Sequence, residues 1–401
     1  MADVITTGAG SGTTLAANVK PDIEAVLKVL EPYQRPFTNY LLLSKKKSKV
    51  VESEYAKFEW MEQSFYPHKT AVSAAISAST TLTLTASNVA DKSIFNLQDI
   101  VKLEETGEMA YVSSVTGGGG ADVVLTHMDG SSALTSLTVG TGYSIRIIGT
   151  RTFEFGGRLV YKALQEVEVY NYLNEFKKTV RTSGRQQAGK TWSGGKSHAD
   201  RVKQATKELQ LTIERYFFFA NQRGYATSDN ERTTWGYGLD GFLSSNVTPY
   251  TGTLTEKQFR SYLKPIFEKG SGKKIHFCGT EQMDEIQSFM NEKYTVQQTP
   301  KEMSAFKEYG YTTSTYRMFS GSVTLVWNPV LDGNATYTGY TVDEENVMLR
   351  HMANDEKGSR KFRMRDNTQD PDINGKETEI LSDVGLEVSL ESTHGKLYKT
   401  V

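Results

Sequence analysis

The strongest constraint on this chain is a run from Ser197 to about residue 222 in which apolar residues recur every three or four positions. Val202, Ala205, Leu209, Ile213, Tyr216, Phe217 and Ala220 share one face of the predicted helix, and Lys203, Lys207, Glu208, Gln210 and Glu214 occupy the other. Ser197 with Asp200 three residues on is a capping-box start, and neither Pro nor Gly intervenes before Gly224. About 25 residues at ~1.5 Å each make a rod of roughly 37 Å, long for a globular domain.

The 401 residues allow two or three domains and a sizeable core. Before the rod the texture differs. Residues 1–18 have little to bury and read as mobile or ordered by a neighbour. Pro21, Asp22 and Glu24 open a short helix whose face is Ile23, Val26, Leu27 and Leu30, ended by Pro32 and Pro36. An extended segment Phe37–Leu43 and a basic turn, Lys45-Lys46-Lys47 with Lys49, follow. From about 50 to 150 the pattern is β: Glu54–Trp60, Thr81–Thr85, Ile94–Leu103, Met109–Val115, Asp122–Thr126, Leu134–Val139 and Tyr143–Ile148. Gly117–Gly120 and Asp129-Gly130 mark turns, so a small antiparallel β unit is expected between an N-terminal arm and the rest. Residues 159–180 fit helix or strand, with Glu166–Tyr170 leaning to strand.

After the rod, residues 225–250 read as loops. Helices are predicted over Glu256–Lys269 and Glu281–Glu292, with Met283, Ile286 and Phe289 or Met290 inward, and strands over Lys274–Cys278, Val323–Trp327 and Tyr337–Leu349. Their alternation between 253 and 350 predicts a compact α/β domain. Asn354–Lys376 reads as a loop, and a strand pair, Thr378–Leu390 and Leu397 onward, closes the chain.

Composition narrows function. Lys and Arg number 46 against 47 Asp and Glu, a net charge of -1 that argues against a dedicated nucleic-acid binder but not against a protein that encloses DNA without gripping it. Cys278 is the only cysteine, so a disulfide framework and a cysteine-rich zinc site are excluded. The six histidines have no i, i+4 pair, and no metal or cofactor is expected. Residues 1–20 lack the basic start and apolar run of a signal peptide, and no stretch has the ~18 apolar residues of a membrane span. A soluble protein made in a cytosol is expected, with no membrane partner. The 21 Tyr and 18 Phe fit either extensive protein–protein contact or an aromatic core.

One segment, Gly184-Arg185-Gln186-Gln187-Ala188-Gly189-Lys190-Thr191, matches a phosphate-binding loop letter for letter. The chemistry needs a buried strand before it and a helix beginning at the lysine. Lys177–Arg181 is not a buried apolar strand, Trp192-Ser193-Gly194-Gly195 interrupts any helix, and no later strand ends in a matching aspartate. A basic, glycine-containing loop is the simpler account. Gly8, Gly10 and Gly12 follow no strand and make no dinucleotide site. Cys278, beside His276 on a predicted buried strand, reads as a core residue. Thr280–Asp284 is an ordinary helix start, and Glu104-Glu105 and Glu344-Glu345 read as solvated. No catalytic, cofactor-binding or metal-binding residue is assigned, and no enzyme is expected.

Several patches, in order, carry a resemblance. They are Pro36-Phe37-Thr38 with Leu41-Leu42-Leu43, Phe58-Glu59-Trp60, Asn171–Phe176, Val180–Gln186, Glu208-Leu209 with Ile213-Glu214, Val384–Val388 and Thr393–Leu397. With the order of elements they resemble the major head proteins of tailed bacteriophages, whose fold is named after phage Hong Kong 97. The resemblance covers nearly the whole chain and implies an α+β fold. Residues 1–50 would be an N-terminal arm and 51–180 an extended E-loop with an inserted small β subdomain. Residues 181–250 and 346–401 would form a peripheral domain with the long spine helix, and 251–345 an axial α/β domain. The implied function is a virion shell: copies of the chain form hexamers and pentamers of an icosahedral head around double-stranded DNA, assembled in the host bacterial cytoplasm. Portal, scaffolding and decoration proteins are further implied partners. No scaffolding-like extension is evident at the N-terminus, so a separate scaffold or none is expected. A nanocompartment shell with the same fold and a P-loop nucleotide-binding protein are the alternatives.

Overall fold

The computed structural model describes residues 35–43, 50–64, 67–74, 81–85, 89, 91, 93–115, 122–128, 143–152, 154, 166–189, 198–228, 231–293, 313–333, 335–355 and 358–400. The expected helix at 21–30, the lysines at 45–49, the turns at 117–120 and 129–130, the strand at 134–139, and the cap Ser197 lie outside these residues. The chain divides into two compact units, residues 61–168 and the remainder.

Residues 61–168 form a six-stranded sheet in the order Lys69–Ala71, Ser144–Thr150, Asp99–Leu103, Met109–Val115, Val123–His127, Thr81–Leu84, with every neighbouring pair antiparallel. The inward residues alternate along the strands, as a sheet with one wet face requires. Val101, Leu103, Ala110, Val112, Val123, Leu125 and Ile145 join Phe95 in its core. The antiparallel β unit expected from the sequence is therefore present.

The other unit is mixed α+β with two large sheets. One has the order Val50–Ser53, Val347–Met352, Gly375–Val388, Asn174–Ser183, and Arg363–Asp366 also pairs with the long strand Gly375–Val388. The other has the order Val247–Tyr250, Gly395–Lys399, Thr338–Asp343, Lys273–Cys278, Gly321–Trp327, Thr313–Met318. Helix Glu256–Phe267 starts with a full capping box at Thr255 and Gln258. Together with Thr280–Lys293 it places Phe259, Leu263, Ile266, Ile286 and Phe289 in a core with Val323 and Leu325. The closing strands, expected from the sequence to form a pair, do not pair with each other: Gly375–Val388 and Gly395–Lys399 enter different sheets.

The long helix is His198–Phe219. Val202, Ala205, Leu209, Ile213 and Phe217 are buried as their spacing predicts, in one cluster with residues of both sheets. Leu211, Phe218 and Glu214 are buried too, so the helix is enclosed on more than one side and Glu214 does not face water.

Three segments depart from the sequence pattern. Pro36–Leu43 is a helix rather than extended chain. Proline suits a first helical position, and Phe37, Tyr40 and Leu41 at i, i+3, i+4 form a buried face against the long helix. Burying Phe37 and Leu41 contributes about 1.5–3 kcal/mol each. The charged stretch after Asn354 holds the edge strand Arg363–Asp366. Residues 225–250 contain a hairpin, Gly224–Ser228 with Glu231–Trp235, and the strand Val247–Tyr250. Their Thr, Tyr and Trp residues outweigh the turn formers among them.

Candidate functional site

The segment that imitates a phosphate loop takes another form. Strand Asn174–Ser183 does precede it, but the strand alternates, with Phe176 and Thr182 inward and Glu175, Lys177 and Arg181 outward. Gly184–Ala188 then turns at once into helix, with Ser183 accepting the Gln186 N–H and the Gly189 N–H donating to the Arg185 carbonyl. Gly184 N–H donates to the Asn374 carbonyl at 3.1 Å. Amides used in this way do not point together into a phosphate cradle. Lys190 and Thr191 lie outside the described residues.

His276 and Cys278 are both fully buried on strand Lys273–Cys278. Burial pushes the Cys278 thiol far above its ordinary range, and its Sγ lies 3.8 Å from the Met283 Sδ. It is a packing residue, not a nucleophile. His276 belongs to a directed chain of hydrogen bonds. Gln282 donates its amide to the carbonyls of Tyr337 and Leu397, so its Oε1 accepts from His276 Nε2 at 3.1 Å. The Tyr262 hydroxyl donates to Thr341 Oγ1, which donates to His276 Nδ1 at 2.8 Å. The imidazole is thus neutral, and burial lowers its pKa to about 4.

Two further polar centres escaped the sequence reading. The first is Glu214, fully buried in the long helix. Its Oε1 accepts from Phe37 N at 3.0 Å and Asn328 Nδ2 at 2.9 Å, and its Oε2 accepts from Thr38 N at 2.7 Å and from the Thr38 hydroxyl. These amides are orphan donors at the first turn of helix Pro36–Leu43, so a carboxylate from the long helix caps the short one. Burial raises the Glu214 pKa, and the donors oppose that rise.

The second centre joins Lys274, Asp343 and His394. Lys274 Nζ and Asp343 Oδ2 are 2.6 Å apart with both side chains inaccessible. Lys274 also donates to the carbonyls of Lys269 and Thr393. Asp343 accepts from Ser271 N and Oγ and from Glu345 N. Burial would lift its carboxyl, but these donors hold it below the ordinary carboxylate range. His394 Nδ1 accepts from Asp343 N at 3.0 Å while Nε2 donates to the Ser389 carbonyl, which fixes a neutral ring with a pKa lowered by burial to about 4. The only sequence signal for these centres is a charged residue inside an otherwise apolar element.

The carboxylate pairs behave unequally. Glu104 is not merely solvated: the Ser144 hydroxyl, Lys69 and Arg146 surround it, and it titrates at about 2. Glu105 is exposed. Thr280 opens its helix with its N–H and hydroxyl donated to Asp332. Among the described residues no three His, Cys, Asp or Glu side chains gather into a metal-ligating group. No helix among them is long and apolar enough to cross a membrane. What the unit does present is an outer surface with large exposed apolar side chains, including Phe319 at the turn between Thr313–Met318 and Gly321–Trp327, Tyr225 and Met364.

A family model described as SU10 major capsid protein matches residues 5–400. No curated protein matches the chain. Similar solved structures include the capsid of a native GTA particle computed with C5 symmetry, at 9% identity and TM-score 0.45, covering 100% of this chain and 99% of that one. A Mycobacterium phage Patience structure is 14% identical at TM-score 0.39, covering 63% of this chain and 78% of that one. The holo-SrpI encapsulin complex from Synechococcus elongatus PCC 7942 is 11% identical at TM-score 0.39, covering 58% and 77%.

Proposed function

Because this chain belongs to the SU10 major capsid protein family, and so forms the shell of a phage virion, we propose that it tiles an icosahedral head as hexamers and pentamers around double-stranded DNA. The single observation that carries this conclusion is the family match over residues 5–400. Its role is structural rather than catalytic. Particles assemble in the host bacterial cytoplasm, and portal, scaffolding and decoration proteins take part.

In this proposal residues 1–50 act as the N-terminal arm and 51–180 as the E-loop. Residues 181–250 with 346–401 form the peripheral domain around the spine helix, and 251–345 the axial domain. The separate compactness of residues 61–168 supports an inserted β subdomain. The carboxylate cap by which Glu214 ties helix Pro36–Leu43 to the long helix supports an arm anchored on the spine. Energy for assembly comes from apolar area buried between copies, for which exposed side chains such as Phe319 are suited. A net charge of -1 suits a wall that must not trap its genome.

Sedimentation and negative-stain microscopy of the expressed protein test this. Shells or rings are expected. Monomers that persist under all conditions, including with a phage scaffolding protein, refute it, and particles from infected cells that hold an enzyme instead of DNA would move it to the nanocompartment class.

A further inference from the structure

The sheet built on Gly375–Val388 has one face toward the long helix. Phe176 packs its ring on Tyr216, Lys178 pairs with Glu208, and Thr182 and Thr378 bond His198. Side chains alternate along strands, so Glu175, Lys177 and Arg181, Glu377, Glu379 and Asp383, and Arg363 and Arg365 lie on the opposite face. There the central strand is acidic and its flanks are basic. Arg181 pairs with Glu377 at 2.5 Å and Lys177 with Glu379 at 3.3 Å. Arg360 reaches Asp383 at 3.1 Å and Glu175 at 3.2 Å.

An open groove of about 480 Å³ runs over this face, and Lys177, Arg360, Arg363 and Arg365 all line it. The carboxylates beside them are already engaged. Two donors are not matched. Arg363, 8% exposed, spends Nη1 on Asp355 at 2.6 Å, and its buried Nε has no acceptor among the described residues. Arg365, two residues along the same edge strand, makes no ion pair or hydrogen bond with a described residue.

An arginine presents two parallel donors on its Nε–Nη2 edge, spaced to match the two oxygens of a carboxylate or phosphate. No described residue accepts from Nε on that edge of Arg363, and burial and Asp355 hold the guanidinium in place. A buried donor without an acceptor is rare enough to need a reason. We propose that the groove is an oxyanion site, which takes one carboxylate or phosphate group on the Nε–Nη2 edge of Arg363 with Arg365 as the second cation.

Calorimetry of inorganic phosphate and of acetate added to the unassembled wild-type subunit, against chloride at matched ionic strength, tests the site without reference to shell formation. Saturable binding is expected, weakened at least roughly tenfold in Arg365→Gln and in Arg363→Lys, which keeps a cation near Asp355 but removes the fork. Arg365→Gln breaks no ion pair or hydrogen bond with a described residue, so its melting temperature in chloride should stay close to that of the wild type; if Arg363→Lys melts early, Arg365→Gln alone decides. Absence of saturable binding of either anion, or equal binding by Arg365→Gln, overturns the proposal. The source of the oxyanion is read from particles, and this arm rests on shell formation. Phosphate that still binds assembled shells identifies a free anion. A site blocked in shells, with phosphate slowing assembly of the wild type but not of Arg365→Gln, identifies a carboxylate of a neighbouring copy.

Discussion

Replacing Glu214 tests whether helix Pro36–Leu43 is fastened by a buried carboxylate. In Glu214→Ala the N–H groups of Phe37 and Thr38 lose their acceptor within a region closed to water. Each stranded donor costs about 1–3 kcal/mol. The Thr38 hydroxyl and the Asn328 amide can turn toward other acceptors, so they add little. Removing the carboxylate also relieves the desolvation that raises its pKa. The net loss should be about 3–5 kcal/mol, the usual result of deleting one partner from a buried charged network. Glu214→Gln keeps one oxygen but turns an NH₂ toward the other pair of donors, and should cost about 1–3 kcal/mol. Urea denaturation of the unassembled subunit at neutral pH gives both values. Limited proteolysis should show cleavage near residue 35 or 45 rising in the same order. Unchanged urea midpoints and an unchanged digest for both variants would refute the capping role.

Four further outcomes follow from contacts elsewhere in the chain. His276 and His394 titrate near 4 when folded against the usual 6.5, so between those values the unfolded chain binds more protons and stability falls as pH falls. The loss is about 3 kcal/mol per histidine, complete near pH 4; a urea midpoint that stays flat from pH 7 to 4 contradicts it. Deleting residues 1–35 should leave a folded subunit that cannot make stable shells, whereas Phe37→Ala should destabilise the subunit itself by about 3–5 kcal/mol, both read by thermal melts and sedimentation. Gly238→Ala would put a Cβ within 2.5 and 2.6 Å of the carbonyl oxygens of Tyr216 and Phe217, and the backbone shift should cost about 1–3 kcal/mol in the same melts.

The long helix was legible because its apolar residues repeat at 3.6 with no breaker, and the β unit because its strands alternate cleanly. Pro36–Leu43 was not, since eight residues after a proline-rich stretch carry too little periodicity to separate helix from extended chain. Glu214 looked solvent-facing because a helical glutamate usually is, and its donors lie 176 and 177 positions away. Arg363–Asp366 was hidden by its charge, which suits an edge strand but not a pattern search. Lys274 and Asp343 pair across 69 positions, a partnership that no local window contains.

The placement of the two closing strands sets a timetable for synthesis. Gly375–Val388 lies between Val347–Met352 and Asn174–Ser183, and Gly395–Lys399 lies between Val247–Tyr250 and Thr338–Asp343. Neither sheet can close until the ribosome has released residues this late in the chain. By contrast, every strand of the sheet in residues 61–168 is available once Thr150 emerges. One part of the subunit can therefore mature during translation while the body around the long helix waits. Surfaces that depend on the two large sheets are thus completed only with the last strands, whereas those of the sheet in residues 61–168 can be completed earlier.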